Sequence, residues 1–122
     1  MVPSEDTGSI WLAILTYLDL VQAHSERIMA AYWIIRAGEI KDQDALEVYQ
    51  KLWSPLAAHH LAKVITRSKF ETPEGPDFPR VLIIEFPTYR QAIACYQDPD
   101  YQQAIKFANK AFDREMTIID GV

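Results

Sequence analysis

Cysteine is nearly missing from this 122-residue chain: Cys95 stands alone, so no disulfide can form within it. A single thiol among Ala92, Ile93, Ala94 and Tyr96 reads as a small buried hydrophobe in a reducing, cytoplasmic compartment. Positive charge is also scarce. Lys and Arg number 12 against 17 Asp and Glu, for a net charge of −5, and Lys63, Arg67 and Lys69 are merely spaced along one segment. That excludes nucleic acid and anionic membranes as partners. The longest apolar stretch, Ile10 to Val21, is broken by Thr16, Tyr17 and Asp19, too short for the roughly 20 residues a membrane span needs. Acidic Glu5 and Asp6 stand where a secretory leader carries basic residues. No phosphate-binding glycine loop, dinucleotide fingerprint or nucleophile elbow is present. His24, His59 and His60 have no partner at metal-ligand spacing, and two neighbours on a helix point about 100° apart. No metal and no cofactor are expected.

What is present is a regular alternation of elements. Ser9 to about Met29 has helical spacing with a wide apolar face and Ser9 as N-cap. From Tyr32 to Ile40 the residues are aromatic and β-branched, the signature of a strand. Asp42 then caps a helix carrying Leu46, Tyr49, Trp53, Leu56 and His60 on one side, with a kink or restart expected at Ser54-Pro55. Lys63 to Ser68 reads as a second strand, the proline-rich 71–79 as a loop, and Arg80 to Phe86 as a third strand. Thr88 with Gln91 forms a capping box, and Asp98-Pro99 restarts the helix. Glu115 to Asp120 is the last strand. The order βαββαβ predicts an α+β, ferredoxin-like fold with a four-stranded antiparallel sheet and its helices on one face. The strands do not alternate cleanly between apolar and polar, so both faces should be covered. A second copy of the chain is the simplest cover for the helix-free face, giving a homodimer.

Three blocks carry a resemblance: AYWIIRAGEIKD after Met29, RVLIIEFPTYRQAIACYQDPDY from Arg80, and the terminal IIDGV. On these, residues 29–122 resemble the DUF1330 family of uncharacterised proteins, within the dimeric α/β-barrel superfamily. The resemblance implies two sheets packed into a barrel with a cleft in each subunit. It leaves residues 1–28 as an N-terminal extension, expected to be helical. Members tend to have a Gly-Gly-Arg turn before the second strand and Arg-Gly-Gly after it. Here those positions hold Leu61-Ala62-Lys63 and Arg67-Ser68-Lys69, so the arginine remains at Arg67 and the glycines do not.

Strand periodicity puts Leu82, Ile84 and Phe86 on one face and Val81, Ile83 and Glu85 on the other. A carboxylate ending so apolar a strand has to be paired, protonated or wet. Glu85 is therefore the candidate acid/base of the barrel cleft, with Arg67 as anchor for a substrate carboxylate and Tyr32, Tyr49 and His60 as candidate ligand contacts. The function so framed is binding of a small apolar or aromatic acid, with proton transfer or cofactor-free oxygenation as its chemistry. The alternative is a non-catalytic binding or assembly domain in which Glu85 forms a structural ion pair with Arg67 or Arg36.

Overall fold

The computed structural model describes residues 13–14, 30–66 and 68–121. Apart from Ala13 and Ile14, the helix expected at the N-terminus lies outside the described residues, as does Arg67. Strand β1 spans Ala31–Ala37 and helix α1 Gln43–His59. Strand β2 is only Lys63–Val64, and β3 is Arg80–Phe86. Helices α2, Tyr89–Gln97, and α3, Pro99–Ala111, precede β4, Arg114–Asp120. The sheet runs β2-β3-β1-β4, and every neighbouring pair is antiparallel. This is the ferredoxin-like arrangement, with its second helical arm split in two.

Local chemistry sets the helix ends. The Asp42 carboxylate accepts from the Ala45 amide at 2.9 Å, and the Thr88 hydroxyl accepts from the Gln91 amide at 3.0 Å. Asp98 accepts from the Asp100 amide at 2.9 Å, with Pro99 in the first turn. Each bond satisfies a backbone donor that a helix start leaves without a partner. The C-terminus of α1 closes differently. The Leu61 amide bonds the Ala58 carbonyl and the Ala62 amide bonds that of Ala57, the paired bonds of a Schellman turn. Leu61 sits there at φ 58°, a left-handed conformation that normally selects glycine.

The core lies between the sheet and the helices. Along β1 burial alternates: Ala31, Trp33, Ile35 and Ala37 are buried, while Tyr32, Ile34 and Arg36 are less so. Trp33 is the hub. Its ring centroid is 5.5 Å from Trp53 and 5.0 Å from both Phe86 and Tyr101. Its indole N–H donates to the Ala92 carbonyl at 3.0 Å, pinning α2 to the central strand. Phe86 and Ile84 are buried on the same side, as their parity in sequence requires.

Three expectations need correction. The first strand stops at Ala37 instead of Ile40, because the Gly38 amide turns to the Asp113 carbonyl. The second strand ends at Val64 instead of Ser68. Beyond it the Ile65 amide still bonds Ile83, but the Thr66 hydroxyl then takes the Ile83 amide at 3.4 Å and replaces the ladder. Helix α1 runs through Pro55 without a break. Pro55 is exposed, so the carbonyl that its missing N–H would have bonded can be solvated. Among the described residues no helix is long and apolar enough to cross a membrane.

Candidate functional site

The antiparallel register distributes the site residues expected from sequence over different places. Glu85 is opposite Tyr32 on β1 and Lys63 on β2. These three form one row on the face away from the helices, and the next row pairs Ile83 with Ile34. Arg36 is no partner for Glu85: its guanidinium donates to Glu115 at 3.0 Å. Arg67 lies outside the described residues. Tyr49 and His60 are on the opposite side of the sheet from Glu85, in the helical layer. A single cleft holding Glu85, Tyr32, Tyr49 and His60 is therefore not formed within one chain.

His60 is a structural node. Only 6 % exposed, its Nε2 is 2.7 Å from the Asp98 carboxylate and its Nδ1 is 3.4 Å from the Gln91 amide nitrogen. It ties the end of α1 to the starts of α2 and α3. The bond from His60 lowers the Asp98 pKa, and the Asp100 amide adds to the shift. Gln91, the expected reciprocal arm of the Thr88 capping box, is used on His60. Cys95 is fully buried, and desolvation, followed by the nearby Asp98 charge, pushes its thiol up to about 12. That removes it as a nucleophile. No group of three potential metal ligands occurs among the described residues.

Tyr49 leads to a pocket that sequence reasoning missed. Between α1 and the sheet lies a cavity of about 160 Å³, lined by Tyr49, Trp53, Leu82, Phe112 and two arginines, Arg80 and Arg114. Both arginines are register partners of Ala37, so they flank one central residue on the helix-facing side. Arg80 lies over the Phe112 ring at 4.5 Å and donates to the Gly38 carbonyl at 3.4 Å. Its buried Nε has no hydrogen-bond partner among the described residues. Arg114 donates to the Tyr101 hydroxyl at 3.0 Å and lies 5.7 Å from the centre of the Tyr49 ring. Burial raises the Tyr101 pKa, so that hydroxyl stays protonated. Among the described residues neither arginine forms an ion pair with a carboxylate; the acids that do form pairs are Glu115, Asp113, Asp98 and Asp42, each with another base.

A larger groove of about 460 Å³ runs between α1 and α3, but Lys51, His59, Asp98 and Asp100 line it with charges of both signs. Such a surface cancels much of its own field. The smaller pocket, with one sign of charge against apolar walls, has the composition expected of a ligand site. Its signal was present in the sequence. Arg80 has the parity of Leu82, Ile84 and Phe86, and Arg114 that of Met116 and Ile118; an arginine in phase with a buried face is conspicuous.

Comparison with known proteins adds family and fold. The family profile described as a domain of unknown function (DUF1330) matches residues 30–122. A protein of unknown function from Rhodopseudomonas palustris aligns with TM-score 0.60 at 19% identity, over 84% of this chain and 91% of that one. The methylated form of the same protein gives the same score and identity, over 84% and 89%. A conserved protein from Methanosarcina mazei aligns with TM-score 0.48 at 10% identity, over 81% and 99%. A search of curated proteins finds no match.

Proposed function

This chain belongs to the DUF1330 family, which brings a fold but no activity, and from its own pocket we propose that it binds a small organic acid with an apolar or aromatic body. One observation carries the reading: Arg80 and Arg114 flank an apolar cavity with no carboxylate from the described residues to neutralise them. Two partly desolvated guanidinium groups repel each other and favour an anion between them. The apolar walls supplied by Trp53, Leu82 and Phe112 favour a hydrophobic body on that anion. The site offers donors and cations and no general base. Glu85, the acid/base candidate, belongs to the other face of the sheet, so the reading is binding rather than proton abstraction.

Calorimetric titration of the full chain with benzoate and hexanoate, beside benzyl alcohol and hexanol, tests it. At least one acid should bind while its alcohol binds far more weakly, and an Arg80→Met/Arg114→Met double variant should lose the acid. Equal affinity for acid and alcohol, or no binding of either acid, overturns the reading.

The partner we propose for the helix-free face is a second copy of this chain. Ile34, Ile83, Ile65 and Ile119 are apolar on that face, with Ile65 40% and Ile119 46% exposed. Opposite charges, Lys63 with Glu85 and Arg36 with Glu115, border it. Packing two such faces would cover the strands whose apolar residues continue onto both sides of the sheet. Light scattering at micromolar concentration that returned only a 14.0 kDa species would rule the dimer out. The single buried thiol supports a cytoplasmic setting.

A further inference from the structure

The hydrogen-bond directions around the pocket can be worked out atom by atom, and they narrow the ligand. An arginine can only donate. Arg114 therefore gives an N–H to the Tyr101 oxygen at 3.0 Å. Tyr101 is fully buried, so its own O–H cannot be left without an acceptor at tolerable cost. Among the described residues the oxygen within reach is that of Tyr49, at 2.9 Å. Tyr101 thus donates to Tyr49, which also receives a long 3.5 Å contact from Arg114. Its oxygen is occupied as an acceptor, and its own hydrogen has no acceptor among the described residues. Tyr49 lines the pocket. The third polar feature is the Arg80 guanidinium, which lines the pocket and whose buried Nε–H has no partner among the described residues. The charged and hydroxyl groups that line the cavity are thus donors, and Gln50 adds an amide that can donate or accept.

Volume sets the second limit. The cavity is about 160 Å³, and an apolar cavity of roughly 150 Å³ accommodates one benzene ring. A fused bicycle or a long chain exceeds that volume and would leave part of its apolar surface outside the cavity. Aromatic and aliphatic walls from Trp53, Phe112 and Leu82 suit a flat body.

We propose that the ligand is a single-ring carboxylate, held by Arg80 and Arg114 and selected by the Tyr49 hydroxyl as a third donor. This rests on the organic-acid reading above and goes further in naming the ligand's size, its acceptor-only head group and a specificity-determining tyrosine. An ionised carboxylate is acceptor-only, with about four lone-pair directions for these donors. An alcohol brings no charge to the two guanidinium groups, and an amine brings a cation beside them.

The experiment is calorimetric titration of the wild-type chain and Tyr49→Phe with benzoate, benzylamine, 2-naphthoate, phenyl phosphate and hexanoate, each variant first checked by thermal melting. Benzoate is expected to bind most tightly, with 2-naphthoate weaker because its second ring overfills the cavity, and benzylamine at least about tenfold weaker because it loses the charged hydrogen bonds. Tyr49→Phe should weaken benzoate by about tenfold for the same reason while keeping its melting temperature within a few degrees. Naphthoate binding as well as benzoate defeats the size argument. Phenyl phosphate binding tighter than benzoate replaces the carboxylate with a phosphate. Unchanged benzoate affinity in Tyr49→Phe removes the tyrosine from the site. Hexanoate binding without benzoate would sink this proposal and leave the broader reading standing; silence from every acid would sink both.

Discussion

Replacing Arg80 by methionine should leave the unliganded protein as stable as before or more so, which is unusual for a change at a partly buried arginine packed on an aromatic ring. Arg80 and Arg114 both pair with Ala37, so their backbones are two strand spacings, roughly 10 Å, apart. At an effective dielectric of about 20, two unit charges at roughly that distance repel by about 1.7 kcal/mol. Water at these half-exposed side chains reduces this to about 1 kcal/mol or less. Removing Arg80 also removes its buried Nε–H, whose unpaired desolvation costs about 1–3 kcal/mol. On the other side, stacking over Phe112 contributes about 0.5–1 kcal/mol, much of which a methionine sulfur on the same ring restores. The 3.4 Å bond to Gly38 is too long to contribute much. The balance runs from neutral to about 3 kcal/mol in favour of Arg80→Met, by subtraction of these terms. For a chain of this size that is an unchanged melting temperature or a rise of about 3–6 °C for each kcal/mol gained. Urea melts at low and high salt provide the assay, since screening should stabilise the wild type more than the variant. A loss of more than about 2 kcal/mol, beyond what surface substitutions cost, would refute the reasoning: Arg80 would then be a structural residue, and the pocket would lose its reason to hold an anion.

Trp33→Phe should destabilise by about 2–4 kcal/mol in a denaturant melt, combining a lost buried hydrogen bond with a cavity at the centre of the aromatic cluster. Leu61→Gly should be more stable than Leu61→Ala by about 1 kcal/mol, because both remove the exposed side chain and only glycine escapes the left-handed strain. Asp98 has a lowered folded-state pKa, so it binds fewer protons folded than unfolded. Its contribution to stability is present above the unfolded carboxylate value of about 3.9 and disappears as pH falls through the folded one; Asp98→Asn should flatten that acid limb in melts between about pH 5 and 2. Cys95, raised to about 12 and buried, should resist a thiol-reactive dye at neutral pH until denaturant is added.

Local signals in the sequence proved good guides where the physics is local. Asp42, Thr88 and Asp98 cap helices because each side chain reaches an amide two or three residues on, which one stretch of chain reveals. Arg80 to Phe86 is a strand with the expected limits. The short β2 was harder, since its residues favour strand while the Thr66 hydroxyl replaces the next ladder bond. The site was least legible. Arg80 and Arg114 are far apart in sequence and meet only because β1 lies between β3 and β4, a relation set by sheet order and register. Glu85 attracted notice because a lone carboxylate interrupts an apolar run, whereas the signal of the arginines is only their parity with a buried face, which stands out once that face is known. The left-handed Leu61 stands where the family resemblance places glycine, so the turn is kept by its two backbone bonds and not by residue type.

The position of β1 between β3 and β4 also governs how the chain can fold as it is made. Ala31 pairs with Asp120 at one edge of β1 and with Phe86 at the other. During synthesis the central strand emerges first and its second neighbour last, about 90 residues later by that register. At roughly 5–20 residues per second, β1 waits on the order of 5–18 s for its final partner. For that interval the strand bearing Trp33 and Ile35 has an unpaired edge, and β4 has to emerge before the sheet can close. Shortening the delay is beyond any change of sequence within the domain, because it is built into the order in which the strands are threaded.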